Sequence, residues 1–220
     1  MMKLKPVLSA CLFVAFFSVH ALAQSSLPLS FEEGFENGMK QWRFTEESNW
    51  SIQEIDGNHV LTINKRESSY KPKHRSPFHI ALVKDRRYGD FELTFKVQSP
   101  EDTGAHRDCA VFWGYQDPEH FYYVHLGKKP DAVSGQIMIV NDAPRVKISE
   151  NKNPIPWTDD WHTVKVRRVG ATGEVFVYFD DMSTPVMSVV DKTFGAGLIG
   201  IGSFDDRDYF DDVKIYGTAE

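Results

Sequence analysis

The segment Asp108–Gly127, DCAVFWGYQDPEHFYYVHLG, constrains the fold more than any other part of the chain. Two apolar and aromatic runs flank Gln116-Asp117-Pro118-Glu119, and those turn residues predict a β-hairpin. With symmetric pairing about Pro118, one face carries Val111, Trp113, Tyr115, Phe121, Tyr123 and His125. The other carries Ala110, Phe112, Gly114, Tyr122, Val124 and Leu126, and reads as core. The first face is rich in rings with polar tips, which suits stacking on sugar rings. A slip of one residue in either strand would exchange that strand's faces.

The rest of the chain repeats the theme. No long segment has helical periodicity. Short runs rich in Val, Ile, Phe, Tyr and Thr recur between Gly, Asn, Asp and Pro. Phe91–Val97 and Trp161–Val166 alternate apolar with polar side chains, and Val175–Phe179 is almost purely β-forming. Further strands are expected at Ile52–Ile55, Asn58–Ile63, Ile80–Val83, Ile137–Val140, Val146–Ile148, Val186–Val189, Leu198–Ser203 and Asp212–Tyr216. Ser99–Asp108 and Asn151–Asp160 read as loops. About a dozen short strands predict an all-β fold, a two-sheet antiparallel jelly-roll sandwich.

The first 23 residues read as a signal peptide. Lys3 and Lys5 precede an apolar stretch, Val7–Val19, and Ala21-Leu22-Ala23 gives the small-x-small pattern before cleavage. Leu8-Ser9-Ala10-Cys11 resembles a lipoprotein box, but most of the apolar run follows it, so cleavage after Ala23 is expected. Residues 24–220 then form a single β-sandwich domain, periplasmic or secreted. The apolar run is too short for a membrane span. Cleavage removes two lysines and no acid, which moves the net charge from −6 to about −8. That balance argues against nucleic acid and anionic membrane surfaces as partners. A monomer is expected. Cys109 is the only cysteine left, so no internal disulfide can form, and it reads as a buried structural thiol.

Several pieces carry a resemblance. They are Gly89-Asp90-Phe91-Glu92-Leu93, Val111–Asp117, Phe121-Tyr122-Tyr123-Val124, Asp160–Val166 and Phe210–Ile215. In order and spacing they resemble the concanavalin A-like lectin/glucanase superfamily over roughly Phe31 to Gly217. Within it the chain looks most like the bacterial 3-keto-disaccharide hydrolase-type domains and their laminin-G-like relatives. The resemblance implies a curved sandwich whose concave face takes glycans, neighbouring terminal strands, and a structural Ca²⁺ at a sandwich edge. It does not carry an activity, because the superfamily holds hydrolases, lyases, lectins and adhesion modules. Alternating acids of the E-x-D-x-E type are absent. The Asn-Ser-Gly stretch of keto-sugar hydrolase domains is replaced here by Thr103–Asp108.

Four chemistries compete. Glycoside hydrolysis needs two facing carboxylates, and no motif pairs Glu119, Asp142, Asp205 or Asp206. Elimination or keto-sugar chemistry needs a base beside a cation that stabilises the developing enolate. His125 is the leading base, with Tyr123 as acid and Arg145 as cation. Arg75, His79 and Arg107 would add positive charge to the substrate site. Binding without chemistry would use Trp113, Tyr115 and Tyr123 as stacking faces. A Ca²⁺ could be shared by Glu33, Asp211 and Asp212 if the termini pair. The sequence therefore predicts a glycan hydrolase or lyase, with a lectin-like module as the alternative and an adhesion domain third. The lack of a second domain favours catalysis. The G-x-G-x-x-G match at Gly195–Gly200 runs into a β-like stretch and is a turn, not a dinucleotide site.

Overall fold

A computed structural model describes residues 25–220. The expected signal peptide lies outside the described residues. No described helix is long and apolar enough to cross a membrane. Among the described residues fifteen strands form two antiparallel sheets.

The first sheet contains β1 (Leu29–Glu33), β3 (Trp50–Ile55), β4 (Asn58–Ile63), β6 (Phe91–Gln98), β11 (His162–Val169), β12 (Glu174–Phe179), β13 (Met187–Val190) and β15 (Tyr209–Tyr216). Its order is β13-β12-β11-β6-β15-β4-β3, and β1 also pairs with β15. The second sheet contains β2 (Trp42–Phe44), β5 (His79–Tyr88), β7 (Ala110–Asp117), β8 (His120–His125), β9 (Gln136–Asn141), β10 (Val146–Lys147) and β14 (Gly197–Ser203). Its order is β10-β9-β8-β7-β14-β5-β2. The jelly-roll sandwich expected from the strand pattern is the fold observed. β1 and β2 were not anticipated; at five and three residues they are too short for their alternation to stand out.

The sheets differ in how their strands are buried. In the first, β6, β11 and β12 alternate strictly. Phe91, Leu93, Phe95 and Val97 point inward while Glu92, Thr94, Lys96 and Gln98 face out. The partner strand β11 repeats this with Val164 and Val166. Its outer face meets solvent, as antiparallel sheets allow.

In the second sheet, β7, β8 and β9 are buried on both faces. Val111, Trp113, Tyr122, Val124, Ile137 and Ile139 pack into the main core between the sheets. Ile80, Leu82, Ala110, Phe112, Tyr115, Phe121, Tyr123, Met138 and Val140 form a second, smaller core on the sheet's outer face. The cover for that core is the connection between β4 and β5, residues 64–78, which runs from the first sheet across the outer face of the second. Lys73 ties it to Glu119 at 2.8 Å and Asp142 at 2.7 Å. Arg145 donates to the Arg75 carbonyl at 3.0 Å. At the near end Arg66 meets Asp206 at 3.3 Å, and Glu46 accepts from Ser68 and from the Ser69 N–H.

The hairpin register corrects the expected faces. Phe112 stands opposite Tyr123, and Trp113 opposite Tyr122. The ladder then shifts before Asp117↔His120. The shift is a bulge at Gly114, whose φ of +57° is left-handed and suits glycine. Trp113 and Val111 therefore face the main core, and Phe112 takes the outward place expected for Trp113. Tyr115, beyond the bulge, does point outward and stacks on Phe121 at 5.2 Å. At the turn, Asp117 accepts the Glu119 N–H at 2.8 Å.

Candidate functional site

The side chains that converge lie at the end of the outer face near β9, β10 and the loop after β14. Tyr123 and His125 come from β8, Arg145 from the turn into β10, Arg75 from the strap, and Phe204 from the β14–β15 loop. Phe204 is the hub. His125 stacks on it at 5.4 Å with 20° between planes. The guanidinium of Arg145 lies 4.6 Å from its centroid and that of Arg75 5.3 Å, within cation–π range.

Beneath the ring, the imidazole of His125 is bonded at both nitrogens. Nε2 meets Oδ2 of Asp108 at 2.9 Å, and Nδ1 meets the Val133 carbonyl at 2.8 Å. A carbonyl and an ionised carboxylate only accept, so the arrangement is satisfied with a proton on each nitrogen. Burial pushes the imidazole pKa down, but the Asp108 charge and the two hydrogen bonds outweigh it and hold it above the ordinary value. Burial likewise opposes ionisation of Asp108. The His125 charge, with donors from the Phe204 N–H and Ser203 Oγ, overcomes it and lowers that carboxyl. His125 in this state has no lone pair with which to take a proton.

Tyr123 is fully buried, and its Oη has no hydrogen-bond partner. Burial raises its pKa, opposed by the charges of Arg145 and Arg75. It is a protonated donor. Several other polar atoms around the strap are also buried without partners among the described residues: Tyr70 Oη, Ser76 Oγ and Arg145 Nε.

The structure brings together His125, Tyr123, Arg145 and Arg75 from the expected set. It separates the others. Trp113 is fully buried between the sheets, stacked on Tyr122 at 5.7 Å. His79 also turns inward, against Trp50, with Nε2 on the Arg66 carbonyl at 3.1 Å. Arg107 is buried at a sandwich edge, paired with Asp159 at 2.9 Å. Tyr115 lies at the opposite end of the strap, beside a groove of about 350 Å³ lined by Arg43, Tyr70, Leu82 and Pro118.

The expected calcium ligands do not converge. β1 and β15 do pair, with Glu33 opposite Val213. Asp212, however, turns to the exposed face and meets Lys96 at 2.6 Å. Both Glu33 oxygens already accept, from the Phe35 N–H and from Gln41. Asp211 Oδ2 accepts from Asn58 at 2.8 Å, which leaves only the buried Oδ1 free. Ca²⁺ needs six to eight oxygens, and this arrangement does not supply a set. His74, Glu119 and Asp142 also approach one another within ligand range. There the Lys73 ammonium sits between the two carboxylates and takes the place of a cation.

Sequence reasoning did not single out Phe204, Asp108 or the strap. The strap was open to detection: it holds five Lys or Arg and one His against one Glu, in an acidic chain. It is also longer than most connections in compact domains.

Sequence comparisons found no matching family model and no matching curated protein. Structural comparison is informative. The carbohydrate-binding module CBM66 from Bacillus subtilis superimposes with a TM-score of 0.57 at 17% identity, covering 81% of this chain and 97% of that one. The fold is that of the concanavalin A-like sandwiches. The exoplasmic/lumenal domain of VIP36, in a Ca²⁺/Man3GlcNAc-bound form, matches at TM-score 0.55 and 15% identity over 83% of this chain and 86% of that one. A GH43 protein, BlXynB from Bacillus licheniformis, matches at TM-score 0.57 and 11% identity over 81% of this chain but only 37% of its own. At these identities the concanavalin A-like likeness is one of fold.

Proposed function

We propose that this protein binds carbohydrate without cleaving it, at the end of the second sheet where Arg75, Arg145 and Phe204 meet. The observation that carries this reading is the double engagement of His125: the best-placed base is fixed as a donor at both nitrogens. Tyr123 is held protonated, and the nearby carboxylates Asp108, Glu119 and Asp142 are each paired with a cation. What remains is a set of donors and cations suited to recognition. The near full-length match to a carbohydrate-binding module supports the same reading. Export, expected from residues 1–23, would place the protein where glycans are met. Affinity electrophoresis through gels containing candidate polysaccharides tests it: retardation without release of reducing ends or unsaturated sugars is expected.

One observation favours the second reading, a hydrolase or lyase. Tyr123 Oη is unpartnered and lies near two guanidiniums, as an acid that protonates a leaving group beside a stabilised enolate would. Turnover of a cognate glycan that is lost in Tyr123→Phe would establish this reading over the first.

A further inference from the structure

We infer that the ligand is an acidic glycan, bound through a carboxylate or sulfate group by Arg75 and Arg145. The inference rests on the binding reading above and specifies its ligand class.

The argument begins with charge. The chain is acidic, yet two guanidiniums share one aromatic ring at 4.6 and 5.3 Å. Neither has a carboxylate partner among the described residues. Among the described residues the Arg75 guanidinium makes no hydrogen bond, and that of Arg145 makes one, to the Arg75 carbonyl at 3.0 Å. The acids that could neutralise them are engaged elsewhere. Asp108 holds His125. Asp205 and Asp206 face Arg66 at 3.8 and 3.3 Å. Asp142 faces Lys73 and, at 3.5 Å, His74. The imidazolium of His125 is a third cation on the same ring, and it alone is neutralised.

Like charges brought together without a counter-ion repel, and holding them so is worthwhile where an anion completes the site. Guanidinium forks match the two oxygens of a carboxylate or sulfate, and the planar group keeps its geometry when stacked. The buried Tyr123 Oη and Arg145 Nε, both without partners, are further donors at the same place. The exposed side of Arg75 lets a polymer reach the pair from solvent. A neutral sugar would leave the two positive charges uncompensated.

Affinity electrophoresis at low salt decides the matter. The gels contain polygalacturonate (carboxylate), dextran sulfate (sulfate ester) or a neutral glycan, dextran or galactan. Binding to an acidic polymer at least about tenfold tighter than to the neutral ones is expected, as is a loss of about tenfold in Arg75→Ala and in Arg145→Gln. The two acidic gels separate carboxylate from sulfate as the source of the charge. Lys71→Ala, an exposed cation of the same strap, should bind as the parent does. Equal binding to neutral and acidic polymers overturns the acidic class but leaves the carbohydrate reading standing. So does loss in Lys71→Ala as large as in Arg75→Ala, which would mean general charge attraction. Retardation in none of the gels overturns both readings. Thermal melting of each variant shows whether a loss reflects unfolding.

Discussion

Nε2 of His125 lies 2.9 Å from Oδ2 of Asp108, and the two form a buried ion pair under the ring of Phe204. Removing one charge leaves the other desolvated and alone. Asp108→Asn should therefore cost about 3–5 kcal/mol in urea unfolding at pH 6. A loss below about 1 kcal/mol would show that the pair is not charged.

The same pair sets a pH window. Asp108 has its pKa lowered in the folded state, so its contribution is present above the unfolded value near ~3.9 and is lost as pH falls through the folded value. His125 has its pKa raised, so its contribution is complete below ~6.5 and is lost as pH rises through the folded value. The stability difference between the parent and His125→Gln should be greatest between about pH 4 and 6.5. Unfolding midpoints across pH 3–9 measure it.

Asp206 behaves oppositely to an ordinary paired acid. Burial, then the Asp108 charge, pushes it up to about 6, although Arg66 lies 3.3 Å away. The folded state binds this proton more tightly. Its favourable contribution is present below the unfolded value near ~3.9 and is lost as pH rises through about 6. Asp206→Asn should flatten the stability slope between pH 4 and 6 by about 2 kcal/mol. An unchanged slope would place Asp206 in its ordinary range.

Lys73 bridges Glu119 and Asp142 from an exposed position. Its two ion pairs add little to global stability, so Lys73→Ala should cost no more than about 1 kcal/mol. Its effect is local. Hydrogen exchange of Lys71–Phe78 should quicken, while β7 and β8 stay protected. Uniform protection of the strap in the variant would mean that other contacts hold it.

Gly114 makes the bulge that sends Tyr115 outward. Its φ is +57°, and a β-carbon there would lie 3.1 Å from the Tyr122 ring. Gly114→Ala should cost about 1–2 kcal/mol, read from the thermal unfolding midpoint.

The first sheet was legible because one of its faces meets water. Alternation in FELTFKV places Phe91, Leu93, Phe95 and Val97 inward, as observed. The second sheet was harder. In β7 and β8 nearly every residue is apolar or aromatic, the pattern of a strand buried on both sides, so no alternation remained to fix which face was which. The register then hung on a glycine bulge, and Trp113 was assigned to the wrong side. His125, Tyr123 and Arg145 were reachable as residue types with useful chemistry. That Asp108 would occupy His125, and that Phe204 would gather the cations, depends on contacts between residues 17 to 129 positions apart in the chain. No local pattern encodes them.

β15 lies between β6 on one side and β4 with β1 on the other. Until its eight residues are in place, the first sheet is three unconnected pieces, β13-β12-β11-β6, β4-β3 and β1 alone, with bare edges of unpaired amides and carbonyls. Completion of this sheet therefore waits on β15, the last strand of the described residues. Folding should be slow and dominated by long-range closure. A chain in which β15 is not yet paired would present the edges of β6, β4 and β1 as adhesive surfaces.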